Sequence, residues 1–341
     1  MKTAGAEKLL KGETAVVVGC TEPAAIAFAV QAARRHFRGF LDLSTVRLAL
    51  SLSPEVSRNA STAVVPVVGQ RGIPAASVAG MVSTASGFNP FAGLRLSPAH
   101  PLLRRSGWLT VTSARKHGIF IRAALITPEE RVTAVVAGRH DRIDSISRNG
   151  KTVFRSSRRQ LPCLKGMEEI ARIAGKRDHR LESFARDFVR RQVRGDPSRG
   201  LAAELAGLVA ARMCGAPLPV LTFTGSGNQG MFLGVPLRAL YRKRGEEALP
   251  AIVFALLAQI HLCRVRKRIS NECGLAAKSA PALAAGLAYA RGKSISEITR
   301  IMESVRRRLK GMECRGALPS CGEKAARVLR VTEEEAGEEK T

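Results

Sequence analysis

GIFIRAALITPEERVTAVVAGRHDRIDSISRNGKTVFRS, residues 118–156, decides the fold class of this chain. Apolar and polar residues alternate with period two through 118–127, 131–138 and 142–148, so each segment can turn one side to a core and the other to water. Asn149-Gly150 is the dipeptide a two-residue hairpin turn favours, because both central positions take positive φ, and KTVFRS at 151–156 is the returning strand. The stretch predicts an antiparallel sheet. Working back along the chain, TAVVPVV at 62–68 and WLTVTS at 108–113 read as further strands.

Helices accompany this sheet. Thr21-Glu22-Pro23 opens one: a capping threonine, a glutamate suited to the helix dipole and a proline tolerated in the first turn precede AAIAFAVQAARRHF. Beyond residue 160 the pattern becomes helical, over 165–193 with a break at Gly175, and over 199–214, 247–268, 274–291, 296–310 and 320–331. Ser294 to Glu297 has the spacing of a capping box. The fold class expected is α+β: an N-terminal lobe, 1–160, with an antiparallel sheet and helices, and a mainly helical lobe, 161–335, carrying the C-terminal cysteines. Helix 21–36 is counted with the first lobe, with packing on the helical lobe left open.

Within the helical half, LPVLTF at 218–223 is strand-like and runs into TGSGNQG at 224–230. Gly225, Gly227 and Gly230 satisfy GxGxxG, but Gly234 and Pro236 follow at once and make a poor first helix for a dinucleotide fold. No Gly-Lys-Ser/Thr closes a phosphate loop. The turn offers successive backbone N–H groups beside Ser226, Asn228 and Gln229, which suit a carboxylate or another anion. A tight loop between core elements is the plainer alternative.

Composition narrows the class. The 341 residues are 45% hydrophobic, enough for a large buried core and too many for a disordered chain. No run of about 18 uncharged apolar residues occurs; LPAIVFALLAQIHLC at 249–263 reads as a core helix. The N-terminus lacks a signal-peptide pattern, so a cytoplasmic location and no membrane partner are expected. Lysine and arginine number 55 against 28 acids, a formal charge of +27, spread over short clusters such as SSRRQ at 156–160, RVRKR at 264–268 and RRRLK at 306–310. Such a field attracts polyanions. Aromatic residues are only 4% of the chain, too few for a base-stacking platform, so a nucleic-acid partner is kept as the alternative rather than the first reading.

Seven cysteines, at 20, 163, 214, 263, 273, 314 and 321, argue against a disulfide scaffold. Cys214 and Cys263, among apolar neighbours on helices, read as core thiols. Cys273, Cys314 and Cys321 are spaced C-x40-C-x6-C, which leaves two alternatives open: three thiolates for an iron–sulfur cluster, or scattered core thiols.

Six collinear blocks carry a resemblance: GCTEPAA (19–25), SRNASTAVVPVVGQRG (57–72), AGRHDRIDSISRNGK (137–151), AARMCGAPLPVLTFTGSGNQGMFLGVP (210–236), ECGLAAKSAPALAAGLAYARG (272–292) and GMECRGALPSCGEKAA (311–326). The chain resembles the iron–sulfur L-serine dehydratase alpha-chain and L-cysteine desulfidase superfamily, most of all the desulfidase branch with its UPF0597-like relatives. The resemblance implies a [4Fe-4S] cluster and β-elimination on a small amino acid, L-cysteine or L-serine, giving pyruvate, ammonia and sulfide or water. It implies Cys273, Cys314 and Cys321 as cluster ligands, Cys20 and His140 as catalytic groups, and Arg58, Asn59, Ser226, Gly227, Asn228 and Gln229 as substrate contacts. Cys20 precedes a helix start, which favours its thiolate. The chain departs from the family pattern at Arg315 and Leu318, between the last two cysteines, and at Asp141-Arg142 after the histidine. The alanine-rich helices leave a homo-oligomer open, with no symmetry fixed.

Overall fold

The computed structural model describes residues 1–66, 68–157 and 162–337. The lobe boundary expected at 160/161, residues 158–160 of the SSRRQ cluster and Val67 of the expected strand 62–68 lie outside the described residues.

The first half holds helices α1 (Thr3–Gly12), α2 (Thr21–Arg35), α3 (Pro54–Thr62), α4 (Ile73–Val82) and α5 (Pro101–Arg104). Its strands are β1 (Thr14–Val18), β2 (Arg47–Leu52), β3 (Val64–Val65), β4 (Gln70–Arg71), β5 (Leu109–Ser113), β6 (Phe120–Ile126), β7 (Arg131–Ala137), β8 (Ile143–Arg148) and β9 (Lys151–Arg155). The second half holds α6 (Met167–Ala174), α7 (His179–Arg190), α8 (Leu201–Met213), β10 (Pro219–Phe223), α9 (Gly227–Arg244) and α10 (Leu249–Val265). It ends with α11 (Ala280–Ala290), α12 (Ile295–Arg308) and α13 (Cys321–Ala336). The architecture is α+β, as the alternation in 118–156 requires.

The main sheet has the order β5-β2-β6-β7-β8-β9. Register follows the pleat: Leu48 pairs with Leu125, Leu50 with Ala123 and Leu52 with Ile121, while Ala123 and Leu125 meet Ala134 and Val132 on the far side. These side chains share one face and are buried under α2, whose alanines let it lie close on β6 and β7. Ser51 and Arg122, also paired, belong to the opposite face.

Four expectations need correction. β5 runs parallel to β2, so the sheet is mixed; RLALSL at 47–52, not read as a strand, supplies the partner after a crossover through α3 to α5. TAVVPVV is not one strand, because α3 runs to Thr62 and only Val64–Val65 pair with Gln70–Arg71 before Pro66, which has no N–H to donate. Residues 227–244 form a single helix despite Gly234 and Pro236: the segment is buried almost throughout to Arg238, and packing overrides local propensity. Cys214 is no core thiol, since it caps the C-terminus of α8 in an exposed position, whereas Cys263 is buried on α10.

Two hydrophobic cores result. One joins α2, α4 and the main sheet; the other gathers the helices from α6 to α13 together with Ala6, Leu9 and Leu10 of α1. The chain's start reaches the second core because β1 pairs antiparallel with β10, Thr14 opposite Phe223 and Val18 opposite Pro219. Cys20, just after β1, therefore lies at the seam. An 18-residue window in Gly227–Val265 is apolar enough to cross a membrane, and 72% of that window is buried inside the protein.

Candidate functional site

A cleft of about 880 Å³, its open mouth included, lies at this seam and is lined from both halves of the chain. Its wall carries Cys20 and Glu22 from the start of α2, Asn59 from α3, His140 from the β7–β8 turn, Ser226, Asn228 and Gln229 from the start of α9, and Cys273, Cys314 and Cys321. Of the eleven residues singled out from sequence, nine are wall residues. Arg58 and Gly227 are not.

The thiol side is built by backbone pairing. Cys273 N–H donates to Met312 O at 2.8 Å and Cys314 N–H to Asn271 O at 2.7 Å, a short antiparallel bridge of Glu272 with Glu313 that sets those two cysteines diagonally across it. Arg58 braces the same loop from α3, donating from Nη1 to Asn271 Oδ1 (2.7 Å) and from Nη2 to Ser270 O (3.1 Å). It therefore acts on the loop and not on the cleft. The link to Cys321 passes through Gly316 at φ +103, where a Cβ would stand 2.4 Å from Thr62 Oγ1, so only glycine lets the loop close on α3. Thr62 Oγ1 also accepts from Ala317 N–H at 2.8 Å.

Three of the thiols make long contacts: Cys314 Sγ lies 3.7 Å from Asn59 Oδ1, Cys321 Sγ 3.7 Å from Gly316 O and Cys20 Sγ 3.9 Å from Met213 Sδ, while Cys273 faces the backbone of Leu275 and Ala276. They are close enough to sense one another, since a charge on Cys314 raises Cys273 and one on Cys321 raises Cys20. Burial is the larger effect on both. It pushes the Cys20 thiol up to about 11, with Arg212 opposing, so the helix N-terminus does not make Cys20 a ready thiolate as its position suggested.

The polar side is held by side chains. Glu13, buried at the end of α1, accepts from Arg268 Nη1 (2.7 Å) and Nη2 (2.5 Å) and from Arg139 Nη1 (3.2 Å). This clamp fixes the turn that presents His140. The His140 ring is 5% exposed, among the described residues neither of its nitrogens meets a well-aligned hydrogen-bond partner although the Gly225 backbone lies beside it, and Nε2 stands 3.9 Å from Glu22 Oε1. Burial lowers its pKa against the pull of Glu22. Burial opposes ionisation of Glu22 too, but His140, the Asn59 amide at 2.9 Å and the Thr21 hydroxyl at 3.0 Å together hold it below the usual carboxylate range. The pair is thus a carboxylate beside an imidazole that gives up its proton more readily than a free one. Gly225, at φ +83, leaves room for that ring: a Cβ there would sit 3.2 Å from His140 Nδ1.

Ser226 caps α9, accepting from Gln229 N–H at 3.4 Å. Gln229 is oriented from behind by Gln259, whose Nε2 donates to Gln229 Oε1 (2.5 Å) and Thr224 Oγ1 (3.1 Å). β10 and β1 are antiparallel, so this glycine turn is not the βαβ crossing a dinucleotide fingerprint requires.

Sequence reading missed Glu22, Arg212 and Lys278 on the wall. Lys278 had a visible signal, a lone charge in the apolar run GLAAKSAPALAAG. It lies 1% exposed in a π-helical turn, Leu275–Ser279, and donates to Lys267 O and Arg268 O, both at 2.9 Å; burial lowers its pKa.

Residues 124–330, more than half of the chain, match the family model described as serine dehydratase alpha chain. Among curated proteins the chain is similar to a UPF0597 protein of Methanocella arvoryzae, 28% identical over 92% of this chain and 83% of that protein. It is likewise similar to UPF0597 proteins of Kosmotoga olearia, at 27% over 90% of this chain and 82% of the relative, and of Caldanaerobacter subterraneus, at 25% over 93% and 83%.

Proposed function

Because the chain belongs to the serine dehydratase alpha-chain family, we propose that it is a [4Fe-4S]-dependent lyase acting on L-cysteine or L-serine. The products would be pyruvate, ammonia and sulfide or water. The observation that carries this reading is the gathering of Cys20, Cys273, Cys314 and Cys321, up to 301 positions apart, on one wall facing the α9 N-terminus.

The family is generally iron–sulfur linked, and the donors fit that group. Four thiolates fill a [4Fe-4S] cluster, so three would leave one iron open to substrate. Among the described residues no three His, Cys, Asp or Glu converge as the ligands of one ion. Each thiolate of a cluster meets its own iron, so cluster ligands stand further apart than those of a single metal. Cys273, Cys314 and Cys321 would hold it; when bound, it supplies a Lewis acid for the departing hydroxyl or thiol.

The remaining work falls to the chain. The first-turn N–H groups of α9 receive the anionic end of the substrate. His140, its pKa lowered by burial, takes the α-proton, and Glu22 stabilises the imidazolium that forms. Cys20, kept protonated by burial, is the weaker base and shapes the pocket instead. Loss of the β-substituent leaves aminoacrylate, which hydrolyses to pyruvate and ammonia.

Iron and sulfide analysis of anaerobically reconstituted protein, joined to pyruvate release from L-cysteine and L-serine, tests the reading. About four irons per chain with turnover of one substrate is the expected outcome. Protein that takes up no iron sinks the assignment.

A further inference from the structure

Arg212, near the end of α8, lines the cleft 3% exposed, and among the described residues no carboxylate lies within ion-pair distance of it. The acids on the wall are engaged elsewhere: Glu22 accepts from Asn59 and Thr21, and Glu272 faces Arg266 at 3.6 Å. The other cations there are also accounted for. Arg268 is paired with Glu13, Lys324 donates to Glu313 O, and exposed Arg315 faces Glu313. Lys278 is cradled by two carbonyls and can relieve its burial by giving up its proton, which an arginine cannot do.

The Arg212 guanidinium is held rigidly. Nη1 donates to Asn228 Oδ1 at 2.8 Å and Nη2 to Gly19 O at 2.7 Å, while buried Nε has no partner. Five N–H bonds are available and two are used. Gly227 lies against the group so closely that a Cβ would come within 2.7 Å of Cζ, which explains why that position matters although it is not on the wall. The helix beginning at Gly227 adds first-turn N–H groups with no intrahelical acceptor and the positive end of its dipole. A fixed, buried, unpaired cation beside a helix N-terminus calls for an anion.

We propose that Arg212 is the anchor for the α-carboxylate of the substrate, with Asn228 and Gly19 setting its angle and Gly227 its closeness to α9. The choice of an amino acid as ligand rests on the lyase reading; the anion seat itself does not. L-alanine, which has the carboxylate and amine but no leaving group, and L-alaninamide, which lacks the carboxylate, serve as probes. Both are titrated calorimetrically into the anaerobically purified full chain, with iron measured on the same samples.

Wild type should bind L-alanine, and Arg212→Gln should weaken it at least about tenfold while leaving L-alaninamide unchanged. No binding of L-alanine by wild type, or an affinity within about twofold in a folded Arg212→Gln, overturns the proposal. So does equal loss for both probes, which marks a purely structural role. Should Arg212→Gln not fold, Arg212→Lys decides by the same comparison, since it keeps the charge but not the fork. Alanine binding that depends on Arg212 in protein that takes up no iron would retain the seat and discard the cluster reading; the reverse result would do the opposite.

Discussion

The two sides of the cleft are built by different means. The thiol side is set by backbone hydrogen bonds between the 271–273 and 312–314 loops, and its side chains touch little. The polar side is set by side chains locked in charged and amide networks around Glu13 and Gln259, with His140 and Arg212 left holding unused donors or acceptors. One side is positioned by the backbone and the other by side chains. Damage to the first should cost what binds there, and damage to the second should cost geometry.

The largest expected effect is on the thiol side. Cys273→Ser, Cys314→Ser and Cys321→Ser should each remove the cluster absorption and lower pyruvate release more than about a hundredfold, beyond what outer partners of a metal site cost. The denaturation midpoints of Cys314→Ser and Cys321→Ser before reconstitution should match wild type, because those thiols make contacts only at 3.7 Å among the described residues. Next comes Glu13→Gln, which leaves Arg139 and Arg268 without their shared carboxylate. Both arginines keep some access to water, so about 2 kcal/mol of stability should be lost, less than for a wholly buried pair, as read by urea unfolding. Gly225→Ala should reduce turnover about tenfold by displacing His140. Its stability cost, from the positive φ, should be about 1 kcal/mol.

The smallest effect separates the sides by pH. His140 has its pKa lowered by burial from the ordinary 6.5, so below that value the unfolded chain binds a proton the native chain refuses. Stability then falls as pH drops from about 7 toward 5, and His140→Gln should flatten part of that fall. Glu22, also lowered, adds its own loss as pH passes down through its ordinary 4.5. An unchanged slope in His140→Gln would mean the ring is not buried neutral, and the contrast between the walls would weaken.

Much of this was legible in the chain. The alternation in 118–156 gave β6 to β9 and their hairpin, and the break at Gly175 matches the gap between α6 and α7. RLALSL was missed because a six-residue alternation carries no turn signal of its own, and its parallel pairing with β5 is a long-range event. Pro236 misled for a related reason: local propensity does not report burial. At the site, motif residues could be picked out by type and spacing, but Arg212 could not. An arginine in a basic chain has no distinguishing mark until the absence of a nearby acid is seen in three dimensions.

The pairing of β1 with β10 also has a consequence for biogenesis. Cys20 leaves the ribosome 301 residues ahead of Cys321, a delay of roughly 15 to 60 s at ordinary rates of synthesis. Until β10 and the helices before it follow, β1 has no partner strand, α1 has no helical core to join and Cys20 is open to oxidants. The cleft cannot form until Cys321 has been made, so whatever fills its thiol side must arrive after that point.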